Sequence, residues 1–492
     1  MLLLCNSWHM KNQKVNKKQI FIGREAEIKR LNSIINSEES AIISIYGRRR
    51  VGKTALIEHV FQKRKLLKFE GVEKKPEEFQ KQTFLNDLAN YTGKSEIAKL
   101  PAATMTWIEI FKLLAEFVKK GTWTIYFEEL QWMACYEEGL IAELKSVWDN
   151  YFRKNNKLIL ILCGSSPSFF IKHIIRSKSL YNRSMHEMHI EEFSIKDIHN
   201  FLGKRSLRDT FDAYLSVGGI PEYLKILKRE SSTYLGLVKE SFITDGFFLG
   251  EFEKIFISSF ASSELYRSII NELSKNRFLT RNDILNKLSY SSSSGGVSQR
   301  LIDLELTGFI DRYNPVNNAI NSGLSRYTVK DCYLNFYFKF ISPLLNEIKR
   351  KQFVNNQSIA MSNEEYMKWL GLQFEKYCRF NSSKIAEKLG FIGIKYSSGA
   401  LFSRSLDRKN TSGFQIDLMF KRQDRVWTIC EIKYRTSPAD YSVVREFDLK
   451  ILGLNVPKNI TLQKVLVSAS GATQEVLNSG YFDKVLTLED LI

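Results

Sequence analysis

Gly47, Lys53 and Thr54 belong to the run Ala41-Ile42-Ile43-Ser44-Ile45-Tyr46-Gly47-Arg48-Arg49-Arg50-Val51-Gly52-Lys53-Thr54, a Gly-x4-Gly-Lys-Thr pattern behind an apolar stretch. Two glycines let a backbone bend so that successive N–H groups and the start of the next helix face one negative charge. Lys53 adds a full charge beside the β and γ phosphates, and Thr54 offers a hydroxyl to a Mg2+ shared with those phosphates. The loop residues Gly47, Arg48, Arg49, Arg50, Val51, Gly52, Lys53 and Thr54 are therefore expected to line a bound nucleoside triphosphate. A second apolar run, Trp123-Thr124-Ile125-Tyr126-Phe127, ends in Glu128-Glu129, placing two carboxylates at the C-terminal end of a buried strand, where open α/β sheets bind ligands. Glu128 is expected to hold the Mg2+, through water, and Glu129 to polarise the attacking water as general base. A third strand, Leu158 to Cys163, delivers Gly164-Ser165-Ser166 to the same edge, with Ser165 or Ser166 either sensing the γ-phosphate or capping the next helix.

A second constellation lies in the tail. Gly413-Phe414-Gln415-Ile416-Asp417-Leu418-Met419-Phe420 reads as one strand and Val426-Trp427-Thr428-Ile429-Cys430-Glu431-Ile432-Lys433 as its hairpin partner. Glu431 and Lys433 are two apart, so they share a face. Asp417 and Glu431 offer oxygen donors to a divalent cation, Glu375 on a preceding amphipathic helix supports it, and Lys433 orients or activates a hydrolytic water.

The elements that must carry these residues follow from the pattern. At 492 residues the chain is too long for one core. Apolar strands alternating with helices in the first part imply a parallel, doubly wound sheet. Around residues 256–345, three short helices precede Phe309-Ile310-Asp311-Arg312-Tyr313 and a returning strand Ser325 to Val329, the outline of a winged helix with 314–324 as its wing. Ser298, Gln299 and Arg300 would then face a major groove, although Asp303 and Glu305 on the same helix repel phosphate. The expected fold is α/β: a P-loop parallel sheet over 20–190 behind an extension at 1–19, a helical lid over 191–255, a winged helix over 256–345, and an α/β nuclease-like unit over 360–492.

Net charge is +18, with 72 Lys plus Arg against 54 Asp plus Glu, which favours a polyanionic partner such as DNA but also fits a lysine-rich composition. No apolar run is long enough to span a membrane. The six cysteines are scattered without metal or redox spacing, so a reducing, cytoplasmic setting is expected.

The segments FIGREAEI, YGRRRVGKT, YFEELQW, LILCGSS, LYNR and GGIPEYL, in this order, resemble the archaeal-type P-loop ATPases of the AAA+/STAND lineage. The resemblance implies ATP as ligand, a helical-lid turn at Gly218 to Leu224 where Gly219 and Pro221 restrict the bend, and an Arg183 that touches nucleotide or a neighbouring subunit. The family usually has Asp where Glu128 stands, and one extra methylene would slow hydrolysis more than binding. The tail resembles the PD-(D/E)XK nuclease core, a type of domain these ATPases often carry. Together these imply an ATP-hydrolysing switch whose nucleotide state controls a DNA-binding, nuclease-like C-terminal part. The alternative is an ATP-gated scaffold with an inactive nuclease fold and a protein-binding winged helix, self-association included.

Overall fold

Apolar runs form the three central strands, β1 (Ala41–Tyr46), β3 (Trp123–Glu128) and β4 (Ile159–Gly164), and two more polar strands flank them, β2 (Lys65–Glu70) and β5 (Met185–His189). The computed structural model describes residues 21–176, 185–260, 264–289, 295–313, 325–403 and 414–492. The strands pair in parallel in the order β2-β3-β4-β1-β5. β1 and β4 are buried along their whole length because helices cover both faces of the sheet. Ile42, Phe127, Leu160 and Leu162 feed one core, while Ile43, Ile45, Tyr126 and Ile161 feed the other. With β4 between β1 and β3, the loops after all three open on one edge, and that edge holds the candidate site.

The helical region comprises Ile195–Leu202, Leu207–Val217, Pro221–Leu227, Thr233–Ser241 and Phe247–Ser259. Ser194, Ser206 and Ser232 cap three of these helices by accepting backbone N–H bonds. At the turn before Pro221 the left-handed residue is Gly218 (φ 75°), whereas Gly219 is needed because a Cβ there would overlap the Phe193 carbonyl. Pro221 sits in the first turn of its helix, where its missing N–H costs nothing.

Next come the helices Glu264–Ser274, Arg281–Lys287 and Gly295–Leu306, with an antiparallel sheet of β6 (Leu279–Thr280), β7 (Ile310–Tyr313) and β8 (Arg326–Val329) in the order β6-β8-β7. The expected wing at 314–324, most of the turn before Gly295, and Arg183 lie outside the described residues.

The tail opens with the helix Asn363–Phe380 and closes on a mixed sheet of β9 (Tyr396–Ser403), β10 (Phe414–Arg422), β11 (Val426–Lys433), β12 (Thr461–Ser468) and β13 (Lys484–Leu486), in the order β13-β12-β11-β10-β9. β9, β10 and β11 run antiparallel, and β11, β12 and β13 parallel. One face of this sheet joins a continuous core that runs from Phe193 through the middle helices to Leu491. The other face, with Ile416, Met419 and Ile429, packs on Val443 and Phe447 of the helix Tyr441–Leu452. Among the described residues no helix is long and apolar enough to cross a membrane, and Cys135, Cys163, Cys332, Cys378 and Cys430 are free thiols.

Candidate functional site

The loop between β1 and the helix Lys53–Phe61 owes its shape to both of its glycines. Gly52 takes φ 93°, and a Cβ on Gly47 would collide with the Ile190 carbonyl. The Lys53 ammonium curls back into the loop and donates to the carbonyls of Gly47 (3.0 Å) and Arg48 (2.9 Å). Its partners are thus neutral dipoles, which an anion of full charge would outcompete. The Thr54 hydroxyl donates to one carboxylate oxygen of Glu128, and Lys68 of β2 pairs with the other. Burial pushes the Glu128 carboxyl up, but the bonds from Lys68, Thr54 and Tyr126 outweigh it and hold the group below its ordinary range.

Glu129 follows directly but turns away, because its backbone is left-handed (φ 50°). Its carboxylate accepts from the Ser165 hydroxyl (2.7 Å), the Ser165 N–H (3.3 Å) and the Gln131 amide. Ser165 therefore positions Glu129, while Ser166 donates to the Ser259 carbonyl at 2.8 Å. No side chain caps the helix at Pro167, so the capping alternative for these serines is not realised.

A cavity of about 940 Å3 opens over this edge. Lys53, Thr54, Glu128, Glu129 and Arg49 line it together with Ile22, Phe201, Pro221, Lys225 and Lys228. Thr54 and Glu128 fit a Mg2+, since hydroxyl and carboxylate already converge as oxygen donors.

Two of the loop arginines reach outward. Arg48 pairs with Glu192 (2.7 Å) and Asp331 (2.5 Å), and its guanidinium lies 4.9 Å from the centre of the Phe309 ring. Burial pulls the Arg48 pKa down, but Asp331 and Glu192 more than compensate and raise it, so the group stays charged. Arg50, left-handed at φ 68°, pairs with Glu251 at 3.0 Å over the Phe247 ring. Glu251 is wholly unexposed and also accepts from Tyr223 at 2.9 Å. Arg48 and Arg50 were expected to line the nucleotide; Arg50 does border the cavity, yet both guanidinium groups are bound to carboxylates of later segments. Arg24 braces the loop from behind by donating to the Val51 carbonyl at 3.0 Å.

The helix Gly295–Leu306 packs against the segment that follows β4 through Asp303, which pairs with Lys172 and also accepts from Tyr266 at 2.7 Å. Of the residues expected at a groove, Gln299 donates to Asp303 (3.2 Å), Ser298 accepts from Arg281 (2.6 Å), and the Arg300 guanidinium lies 5.8 Å from the Tyr266 ring centre. Only Gln299 of the three is exposed.

In the tail, Asp417 of β10 and Glu431 of β11 are brought together one step beyond the register pair Leu418↔Cys430. The Asp417 carboxylate accepts from the Ile432 N–H (3.1 Å) and from Gln415 (3.2 Å), and Gln415 also reaches Glu375 at 3.5 Å. Lys433 pairs with Glu431 at 2.9 Å, as the two-residue spacing implied. Lys450, from the helix Tyr441–Leu452, donates to both Glu431 oxygens at 2.9 and 2.7 Å. Glu431 is fully unexposed and already neutralised. Burial and the Glu431 charge raise the Asp417 carboxyl, and burial and Asp417 raise Glu375. Among the described residues no group of three or more His, Cys, Asp or Glu is arranged to hold a metal ion. Filling this site with a cation requires Lys450 to leave.

Sequence reasoning missed Lys68, Gln131, Glu251, Asp331 and Lys450. Lys68 carried a weak signal, as a partly buried polar residue within β2, and Gln131 another, as a polar residue two positions after Glu129; Glu251, Asp331 and Lys450 had none, because their roles arise from contacts with other chain segments.

Comparison with known proteins finds one matching family and several similar proteins. Residues 21–227 match the family of an ATPase domain found predominantly in Archaea. An uncharacterized protein of Methanocaldococcus jannaschii is 28% identical over 362 residues, covering 73% of this chain and 76% of the relative. A Walker-type ATPase of Pyrococcus abyssi superposes with a TM-score of 0.49 at 17% identity, over 66% of this chain and 97% of that one. The Aeropyrum pernix ORC2 protein gives 0.43 at 12% identity, over 68% and 97%. The chain thus carries an archaeal-type P-loop ATPase domain, with ATP as its ligand.

Proposed function

From an ATPase domain as premise, we propose that this protein is an ATP-hydrolysing switch in which the phosphate-binding loop governs the placement of a winged-helix module and a nuclease-like tail acting on DNA. The observation that carries the reading is the pair of ion pairs Arg48–Asp331 and Arg50–Glu251, which tie the loop to the segments leading into those parts. A triphosphate arriving at Lys53 draws the ammonium off the Gly47 and Arg48 carbonyls, reshaping the peptide that bears both arginines. Glu129, aimed by Ser165, accepts a proton from the attacking water. When bound between Thr54 and Glu128, Mg2+ supplies charge neutralisation to the phosphates.

Replacing Lys53 with alanine tests the loop assignment: ATP binding and turnover are expected to vanish, and turnover at the wild-type rate would overturn it. For the tail, plasmid incubated with the full chain and Mg2+ or Mn2+ is expected to be cut, with cutting lost in Lys433→Ala and Asp417→Ala. DNA binding should weaken steeply with salt because phosphate contacts release counterions. A second reading, an ATP-gated scaffold with an inactive tail, is favoured by the two lysines that neutralise Glu431. No cutting in any nucleotide state would select it.

A further inference from the structure

Three consecutive arginines stand in the phosphate-binding loop, and their environments differ. Arg48 and Arg50 are each held by a nearly unexposed carboxylate of a later segment, Asp331 and Glu251. Arg49, between them, makes no hydrogen bond or ion pair to any described residue. It lines the 940 Å3 nucleotide cavity. It also lines an adjoining 490 Å3 cavity with Glu70, Glu73, Asp87 and Ser258. Arg49 and Glu129 are the two residues common to both cavities, so a guanidinium and the expected general base share one wall.

We propose that Arg49 contacts the γ-phosphate in cis, stabilising the charge that builds on it during hydrolysis, with no arginine required from a second chain. The proposal rests on the reading of this cavity as an ATPase site. The neighbouring arginines are each held by a carboxylate through their side chains, whereas the Arg49 guanidinium is left to the cavity wall. The second cavity gives the side chain an acidic resting place, where burial and the charge of Glu70 already raise Asp87. A triphosphate offers a denser negative charge on the other side of the same wall. Phosphoryl transfer places charge on the equatorial oxygens of the γ-phosphate, where a planar cation is worth most. Water adds to phosphorus, the bond to the β-phosphate oxygen breaks, ADP and inorganic phosphate leave, and the water proton passes to Glu129. Arg49 supplies charge and hydrogen bonds only and exchanges no proton.

The test uses the full chain and compares wild type with Arg49→Ala. ADP affinity is expected to stay, the ATP-over-ADP preference to fall about ten-fold, and turnover to fall about 100-fold or more. Added guanidinium ion is expected to restore part of the turnover, which a merely structural role would not allow. Mixing Arg49→Ala with Lys53→Ala is expected to restore nothing. Wild-type turnover in Arg49→Ala, an equal loss of ADP and ATP affinity, or recovery in the mixture would each overturn the inference. Absence of ATP turnover in the wild-type chain would instead strike the reading of the site beneath it.

Discussion

Two pairs of carboxylates sit on two sheets of this molecule, Glu128-Glu129 on the first and Asp417-Glu431 on the last; Lys68 pairs with Glu128 as Lys433 and Lys450 do with Glu431, but only the first site holds a further cation in reserve. At the first, Lys53 is bonded only to neutral carbonyls, so the site keeps a positive charge available for an incoming anion. At the second, Glu431 is buried under Lys433 and Lys450, so an incoming cation must first displace an ammonium. The first site also exports charge: Arg48 and Arg50 bind carboxylates far along the chain. The Glu431 pairs, by contrast, are closed by residues of its own sheet and the helix that follows. One site is poised for a ligand and wired to its surroundings, and the other is satisfied within itself.

The largest expected effect bears on the poised site. Glu129→Gln keeps the hydrogen-bonding shape but removes the base, so turnover should drop about 10³-fold while ATP affinity holds, as read by a phosphate-release assay beside equilibrium binding. A parallel loss of affinity would mean that Glu129 belongs to binding. Next, Arg50→Ala strands the unexposed Glu251 with Tyr223 alone, and the denaturation midpoint should report a loss of about 3 kcal/mol. A silent substitution would remove the export of charge from the comparison.

Lys450→Ala tests the satisfied site. Glu431 loses one of two ammonium partners, for a cost of about 2 kcal/mol, and Mn2+ should return part of the lost thermal stability in this variant but not in wild type. No effect of Mn2+ on the variant would leave the tail without a latent cation site.

The smallest effect is in pH. The Glu128 pKa is depressed on folding, so in metal-free protein it contributes stability that is present above its unfolded pKa and is lost as pH falls through the folded one. The Asp417 pKa is raised on folding, so stability falls as pH rises from its unfolded pKa through its folded one. At neutral pH, Glu128→Gln should therefore lower the melting temperature and Asp417→Asn raise it. Equal signs would show that one of the two environments is misjudged.

The legibility of the two sites followed from sequence separation. The phosphate loop was readable because Gly47, Gly52, Lys53 and Thr54 act on one another within a single turn of chain. Glu431 and Lys433 were readable because a strand repeats every two residues. Glu128 and Glu129 were readable as a strand end, but their divergence was not, since it depends on the left-handed backbone at Glu129 and on Ser165 arriving from β4. The ion pairs of Arg48 and Arg50 were not readable, because Asp331 and Glu251 carry no local mark of their partners. The contacts of the helix that bears Ser298 and Arg300 were hidden in the same way: Arg281, Tyr266 and Lys172 converge on it from other parts of the chain.

The central claim, that nucleotide at the loop controls the parts beyond it, is tested most directly by backbone hydrogen exchange over Gly295–Leu306 and Cys332–Phe336 with and without ATP. The account predicts faster exchange in both helices when ATP is bound to the wild-type chain and no change in Lys53→Ala. Unchanged exchange in a wild-type chain that binds and hydrolyses ATP would contradict it.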